Sequence, residues 1–279
     1  MSEADQTPKV ALVGTFLGAA KRKARRLYHR AASLVARPNP LAIIGIGNQK
    51  SGTTAIVALL ARHTNSSVTL DLPGIAGEVK VRLKAGEVSF ESFVRRNASE
   101  LSRDIIKEPN LTFFYNELKR TFPRARYLMI VRDPRQNIRS ILNRLQLPGD
   151  LEWLDREWMA RVHPNWKADI DGKWLGLTGA NYIEVLAARW NLSADVYLNH
   201  RDEMVLVRYE DFDAAKAAVI TDLARRLELP AKRDITGEVD RQYQPRGDRG
   251  VPLNTFFGPK NLERIVRCCS ERMAQFGYE

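Results

Sequence analysis

The chain has 279 residues, with 44 Lys and Arg against 33 Asp and Glu and a net charge of +11. That length suits one large α/β domain, and the charge favours anionic ligands, nucleic acid or an acidic membrane surface. No apolar run approaches the ~20 residues of a membrane span, and the only cysteines, the adjacent Cys268 and Cys269, rule out a disulfide framework or a Cys-rich metal site.

Residues 1–38 form a basic arm, in which Lys21, Arg22, Lys23, Arg25, Arg26, His29, Arg30 and Arg37 lie among Leu27, Tyr28, Leu34 and Val35. Its first reading is a solvated basic helix or a disordered tail. Its functional reading is an amphipathic helix giving peripheral contact with an anionic membrane. The apolar stretch 10–20 precedes the positive cluster, an order that does not suit a secretory signal. With so few cysteines, a reducing, cytoplasmic location is expected.

Pro38 and Pro40 end the arm, and a body of 39–279 follows. Its first strand is expected at 42–46. A Gly-rich turn comes next, running Gly47-Asn-Gln-Lys50-Ser51-Gly52-Thr53-Thr54, and then a helix at 53–62. Strand, glycine turn and helix make a phosphate cradle, because backbone N–H groups and the positive end of the helix dipole converge on one anion. The spacing of Gly47 and Gly52 is that of a nucleoside triphosphate P-loop, but Thr53 stands where the lysine belongs and Lys50 lies inside the loop. A different phosphate pattern is expected.

Further strands are expected at 67–70, 104–107, 127–131 and 204–207. Further helices are expected at 112–122, 134–145, 182–199, 214–227 and 261–276. Glu78 follows Gly74 and Gly77. Lys107-Glu108-Pro109 ends the third strand. The fourth runs into Arg132-Asp133-Pro134, with Ser140 two helical turns on. The fifth runs into Arg208-Tyr209-Glu210-Asp211, whose acids read as helix-capping charges. Residues 148–179 hold four of the five tryptophans (Trp153, Trp158, Trp166 and Trp174) with weak periodicity, and read either as an acceptor-binding insert or lid, or as rings packed over the core. Alternating strands and helices predict an α/β fold, a three-layer sandwich with a central parallel sheet and P-loop-like nucleotide binding, with ligands at the carboxyl ends of the strands.

Lys50-Ser51-Gly52-Thr53-Thr54 resembles the 5′-phosphosulfate loop of sulfotransferases that use 3′-phosphoadenosine 5′-phosphosulfate (PAPS), with Gln49 in place of the usual proline. Arg132 and Ser140 resemble that family's 3′-phosphate pair. Tyr209 matches a tyrosine that approaches adenine. Arg246, Gly247 and Arg249 resemble a basic loop that closes over the 3′-phosphate. The resemblance covers about residues 41–279. It implies sulfonate transfer to a hydroxyl or amine, with PAPS as co-substrate, adenosine 3′,5′-bisphosphate (PAP) as product and no metal. It also implies a small-molecule or glycan acceptor such as a lipid-linked sugar, and no nucleic-acid partner. Lys50 would stabilise the leaving phosphate, with Lys107 as a second cation. Glu108 is the first choice of general base, against the plainer reading of a strand-end salt bridge, and Glu78 is the second. The tryptophan that often follows the Thr-Thr pair is replaced by Ala55-Ile56. The alternative is a P-loop kinase or phosphotransferase, which needs a lysine at position 53. A nucleic-acid or membrane-binding module would need aromatics interleaved on a basic face, and only the arm suits that.

Overall fold

In a computed structural model of the chain, residues 32–243 and 250–279 are described. Most of the basic arm lies outside the described residues, as do Arg246, Gly247 and Arg249. Five strands, β1 (Ile43–Gly47), β2 (Val68–Thr69), β3 (Ile105–Lys107), β4 (Arg126–Val131) and β5 (Met204–Arg208), form one sheet in the order β2-β3-β1-β4-β5. Every pairing is parallel, and β1 lies at the centre, with Ile43 in register with both Ile105 and Arg126.

Both faces of the sheet are covered, so its strands are continuously apolar. The period of two still divides their side chains. Ile43, Ile105, Leu128 and Ile130 pack with Ile56, Leu59 and Leu60 of α1 (Thr53–Thr64) on one face. Ile44, Ile46, Ile106, Tyr127 and Met129 pack with Phe93 and Phe114 on the other. Each such side chain taken fully out of water contributes about 1.5–3 kcal/mol before chain entropy is counted. Gly47 roots the loop where no side chain fits, since its φ is 138° and an added Cβ would lie 2.2 Å from the Ile130 carbonyl oxygen.

The helices follow local chemistry, with some departures from expectation. The short helices α2 (Glu78–Lys84) and α3 (Phe90–Arg96) follow β2 and were not foreseen. The helix expected at 112–122 is preceded by a 3₁₀ segment, Pro109–Phe114, that Glu108 caps, and proper α geometry occupies only α4 (Tyr115–Thr121). α5 (Pro134–Leu145) starts at Pro134 with Asp133 capping the Arg135 N–H. The 148–179 segment contains α6 (Arg156–Arg161) and α7 (Pro164–Asp171); within it Trp174 is buried and Trp153 exposed. α8 (Tyr182–Asn199) is capped by Asn181. The helix expected at 214–227 is α10 (Lys216–Arg226), preceded by the short α9 (Tyr209–Ala214) and parted from it by the non-helical Ala215. The last helix, α11 (Leu253–Gln275), reaches back beyond the expected start through a kink at Gly258 and Pro259. No described helix is long and apolar enough to cross a membrane.

Candidate active site

The loop between β1 and α1 is held in a left-handed conformation at two points, Lys50 (φ 67°) and Gly52 (φ 85°). Side chains around it supply its hydrogen bonds. Thr112 Oγ1 accepts from the Gly47 N–H at 2.8 Å, and Gln49 Nε2 donates to Asn110 Oδ1 at 2.9 Å. Asn137 of α5 donates to the Gln49 carbonyl at 2.8 Å and to Ser51 Oγ at 3.0 Å. Asn48 donates to Asn137 Oδ1 at 2.9 Å. The twelve-residue helix α1 starts at this loop with no acidic residue in its first turn, leaving its positive dipole end unopposed from within the helix.

Beyond the loop opens a cleft of about 300 Å³. Lys50, Gly52, Thr53 and Thr54 line it from the loop, Arg132 and Ser140 from the end of β4 and from α5, Tyr209 from the end of β5, and Lys107 from the end of β3. Four separate sequence segments are thus brought to the carboxyl edge of one parallel sheet. Val131 and Arg208 are register partners, so Arg132 and Tyr209 leave neighbouring strands side by side. The Arg132 guanidinium lies 4.4 Å from the centre of the Tyr209 ring and donates to the Lys50 carbonyl at 3.0 Å. Tyr209 also closes over Gly52, where an added Cβ would come within 2.3 Å of its ring. Partial burial pushes the Lys50 ammonium down to about 8, and the cations Arg144, Arg132 and Lys107 push in the same direction. A cleft so crowded with positive charge is electrostatically prepared for a polyanion.

Other expected residues are placed differently. Glu108 is buried and lines no part of the cleft. Its carboxylate accepts from the Leu72 N–H at 3.0 Å, the Asn110 N–H at 2.9 Å and Asn110 Nδ2 at 2.8 Å. Burial raises its pKa, and its hydrogen bonds run to Leu72 and Asn110 and not into the cleft. Lys107 and Glu108 are consecutive on an extended chain and face opposite ways. Glu78 opens α2 as an exposed residue and is likewise absent from the cleft wall. Ser51 is fully buried and shapes the loop through Asn137 instead of facing the cleft. Glu210 does stand with Asp211 in the first turn of α9, as expected. It accepts from the Asp133 N–H at 3.0 Å and the Tyr278 hydroxyl at 2.7 Å, tying α9 to the β4–α5 turn.

The cleft also presents residues that the sequence did not single out. Asp71, two residues past β2, lines it and pairs with Lys107 Nζ at 2.5 Å. Position past a strand's carboxyl end was the available signal for Asp71. Arg139, Asn143 and Arg144 join Ser140 on the cleft face of α5, Trp166 comes from α7, and Phe212 and Tyr243 add aromatic wall near Tyr209. Among the described residues no group of three or more His, Cys, Asp or Glu could hold a metal ion.

The description "Sulfotransferase family" belongs to the family profile that matches residues 78–233, more than half of the chain. No curated protein matches the sequence. Among solved structures, sulfotransferase STF9 from Mycobacterium avium is similar with a TM-score of 0.54 at 13% identity, covering 92% of this chain and 81% of that one. A sulfotransferase from Alicyclobacillus acidocaldarius gives a TM-score of 0.48 at 15% identity, covering 88% and 98%. Mouse sulfotransferase SULT7A1, complexed with PAP, gives 0.49 at 13%, covering 88% and 87%. The likeness to STF9 is one of fold, and the family match begins beyond the phosphate loop, so loop and profile are separate observations that agree. The chain belongs to the sulfotransferase family.

Proposed function

We propose that the protein transfers a sulfonate group from PAPS to a hydroxyl, or an amine, of an acceptor. One observation carries the reading: Lys50 and Arg132 leave the ends of the adjacent strands β1 and β4 and line a single cleft. A nucleotide phosphorylated at its 3′ and 5′ ends suits two separated cationic grips.

In this reading the loop amides and Lys50 receive the 5′-phosphosulfate, and Arg132 with Ser140 receives the 3′-phosphate. A guanidinium offers phosphate a planar fork of donors. Adenine lies against the aromatic wall of Tyr209, Phe212 and Tyr243, which stands in for the missing tryptophan. The acceptor oxygen attacks sulfur, the bond from sulfur to the 5′-phosphate oxygen breaks, and PAP leaves with the electron pair. Lys50 stabilises the charge that develops on that phosphate. Most of the work is alignment and electrostatic stabilisation, as in phosphoryl transfer. The acceptor's proton goes to Asp71, the carboxylate that the cleft supplies where Glu108 does not, and Lys107 holds it in place. Trp166 and Arg144 line the same cleft and suit a ring-bearing acceptor such as a sugar.

A thermal-shift experiment tests the donor assignment. PAP without Mg²⁺ is expected to raise the melting temperature clearly, and ATP with Mg²⁺ only weakly. Stabilisation by Mg-ATP alone would support a phosphotransferase instead, and no response to either nucleotide would remove the donor assignment.

A further inference from the structure

Helix α8 places two consecutive side chains under the two phosphate grips. Arg189 is fully buried, and its Nη1 donates to Asn48 Oδ1 of the phosphate loop at 2.9 Å. Trp190, also buried, donates from Nε1 to the carbonyl of Arg132 at 2.8 Å. One turn of one helix therefore touches the backbone of the 3′-phosphate grip and the side chain that shapes the 5′ grip.

The charge on Arg189 is costly where it lies. Its Nε and Nη2 find no hydrogen-bond partner among the described residues, and its nearest acid is Asp169 of α7, 3.5 Å away. Asp169 is already held by the buried Lys80 of α2, at 2.6 and 2.7 Å. Buried ions of this kind add little net stability compared with a well-packed apolar core. The Arg189 guanidinium also lies 4.8 Å from the centre of the Phe113 ring, but its one direct side-chain hydrogen bond goes to the phosphate loop, which points to a positioning role.

We infer that Arg189 and Trp190 are positioning residues, each acting chiefly on one of the two phosphate grips, Arg189 fixing the loop through Asn48 and Trp190 fixing the backbone of Arg132. This rests on the reading that the cleft holds a nucleotide phosphorylated at both ends. Neither side chain lines the cleft, so each acts through another residue.

Single-ended probes separate the two effects. Dissociation constants for PAP, adenosine 5′-monophosphate and adenosine 3′-monophosphate are measured on the full chain by titration calorimetry, with displacement of PAP for the weaker ligands. Arg189→Met is expected to weaken PAP and the 5′-monophosphate at least tenfold and the 3′-monophosphate less than twofold. Trp190→Phe, which removes the indole N–H and keeps most of the ring, is expected to weaken PAP and the 3′-monophosphate three- to tenfold and spare the 5′-monophosphate. Arg189→Lys, retaining charge and a donor, is expected to recover part of the loss. If Arg189→Met does not fold, Arg189→Lys carries the test by itself and is expected to show a smaller loss selective for the 5′-monophosphate. Folded variants that lose both monophosphates equally, or neither, would overturn the inference. A wild-type protein that does not bind PAP would instead overturn the proposed function on which it rests.

Discussion

On the proposed assignment, the two halves of the cleft are built differently. The donor half rises from β1, β4 and β5: Arg132 and Tyr209 follow their strands directly, Lys50 stands three residues past β1, and Asn137, Arg189 and Trp190 brace them from below. The acceptor half is assembled from Asp71 on the connection after β2, Arg144 at the last turn of α5 and Trp166 on the short helix α7. Its Asp71 is largely exposed and Arg144 is exposed. A site that binds a fixed nucleotide can be pinned to a rigid sheet, whereas one that chooses the acceptor is hung on loops, where sequence can change without disturbing the fold.

Variants can break or sharpen that contrast. The largest effect is expected from Lys50→Ala, with a fall in single-turnover rate of about a thousandfold, the scale of losing one preorganised charge stabiliser. Near-normal turnover would remove Lys50 from the mechanism. Asp71→Asn is expected to cut kcat about a hundredfold, within the range of a lost general base, while PAP binding stays unchanged. A matching loss of PAP affinity would move Asp71 into the donor half. Arg132→Ala is expected to raise the PAP dissociation constant roughly tenfold to a hundredfold, the scale of a charged hydrogen bond. An unchanged constant would show that the 3′-phosphate lies elsewhere.

A pH titration gives a smaller effect with a defined sign. The pKa of Lys50 is lowered in the folded protein to about 8 by burial and by its cationic neighbours. The unfolded chain therefore binds more protons between about pH 8 and its ordinary value, and the ligand-free protein gains stability from this group as pH rises through that window. If Lys50 holds the 5′-phosphate as proposed, PAP needs the protonated ammonium, so its affinity is expected to fall several-fold as pH rises past about 8, and Lys50→Ala should abolish that fall. A wild-type profile flat through pH 9.5 would contradict it. The smallest change is expected from Gly52→Ala, where a Cβ meets the Tyr209 ring at φ 85°. A loss of about 1–2 kcal/mol in denaturant unfolding is expected; an unchanged midpoint would show that Tyr209 moves aside freely.

The same contrast governs what the sequence disclosed. All five strands were visible, because a parallel sheet covered on both faces leaves unbroken apolar runs such as 127–131. α5 and α8 were bounded correctly at both ends, since Asp133-Pro134 and Asn181 are local starting signals that need no tertiary partner. α2 was missed because Glu-Val-Lys-Val-Arg-Leu-Lys alternates like a strand, and only packing of Lys80 and Leu83 under the fold makes it helical. Glu108 was favoured as a base by its place at the end of the third strand, yet one step along an extended chain from Lys107 reverses the side chain's direction. Asp71 carries no motif, and its pairing with Lys107 spans 36 residues. The contacts of Arg189 and Trp190 lie 141 and 58 residues away in sequence, beyond any local pattern.

The adjacency of β1 and β4 has a metric consequence. Hydrogen-bonded strands keep a separation of about 4.8 Å whatever their side chains are, so the strand ends from which the two proposed anion grips arise are spaced by main-chain geometry. On the proposed assignment, acceptor preference can drift through Asp71, Arg144 and Trp166, which stand outside β1 and β4, without changing that spacing.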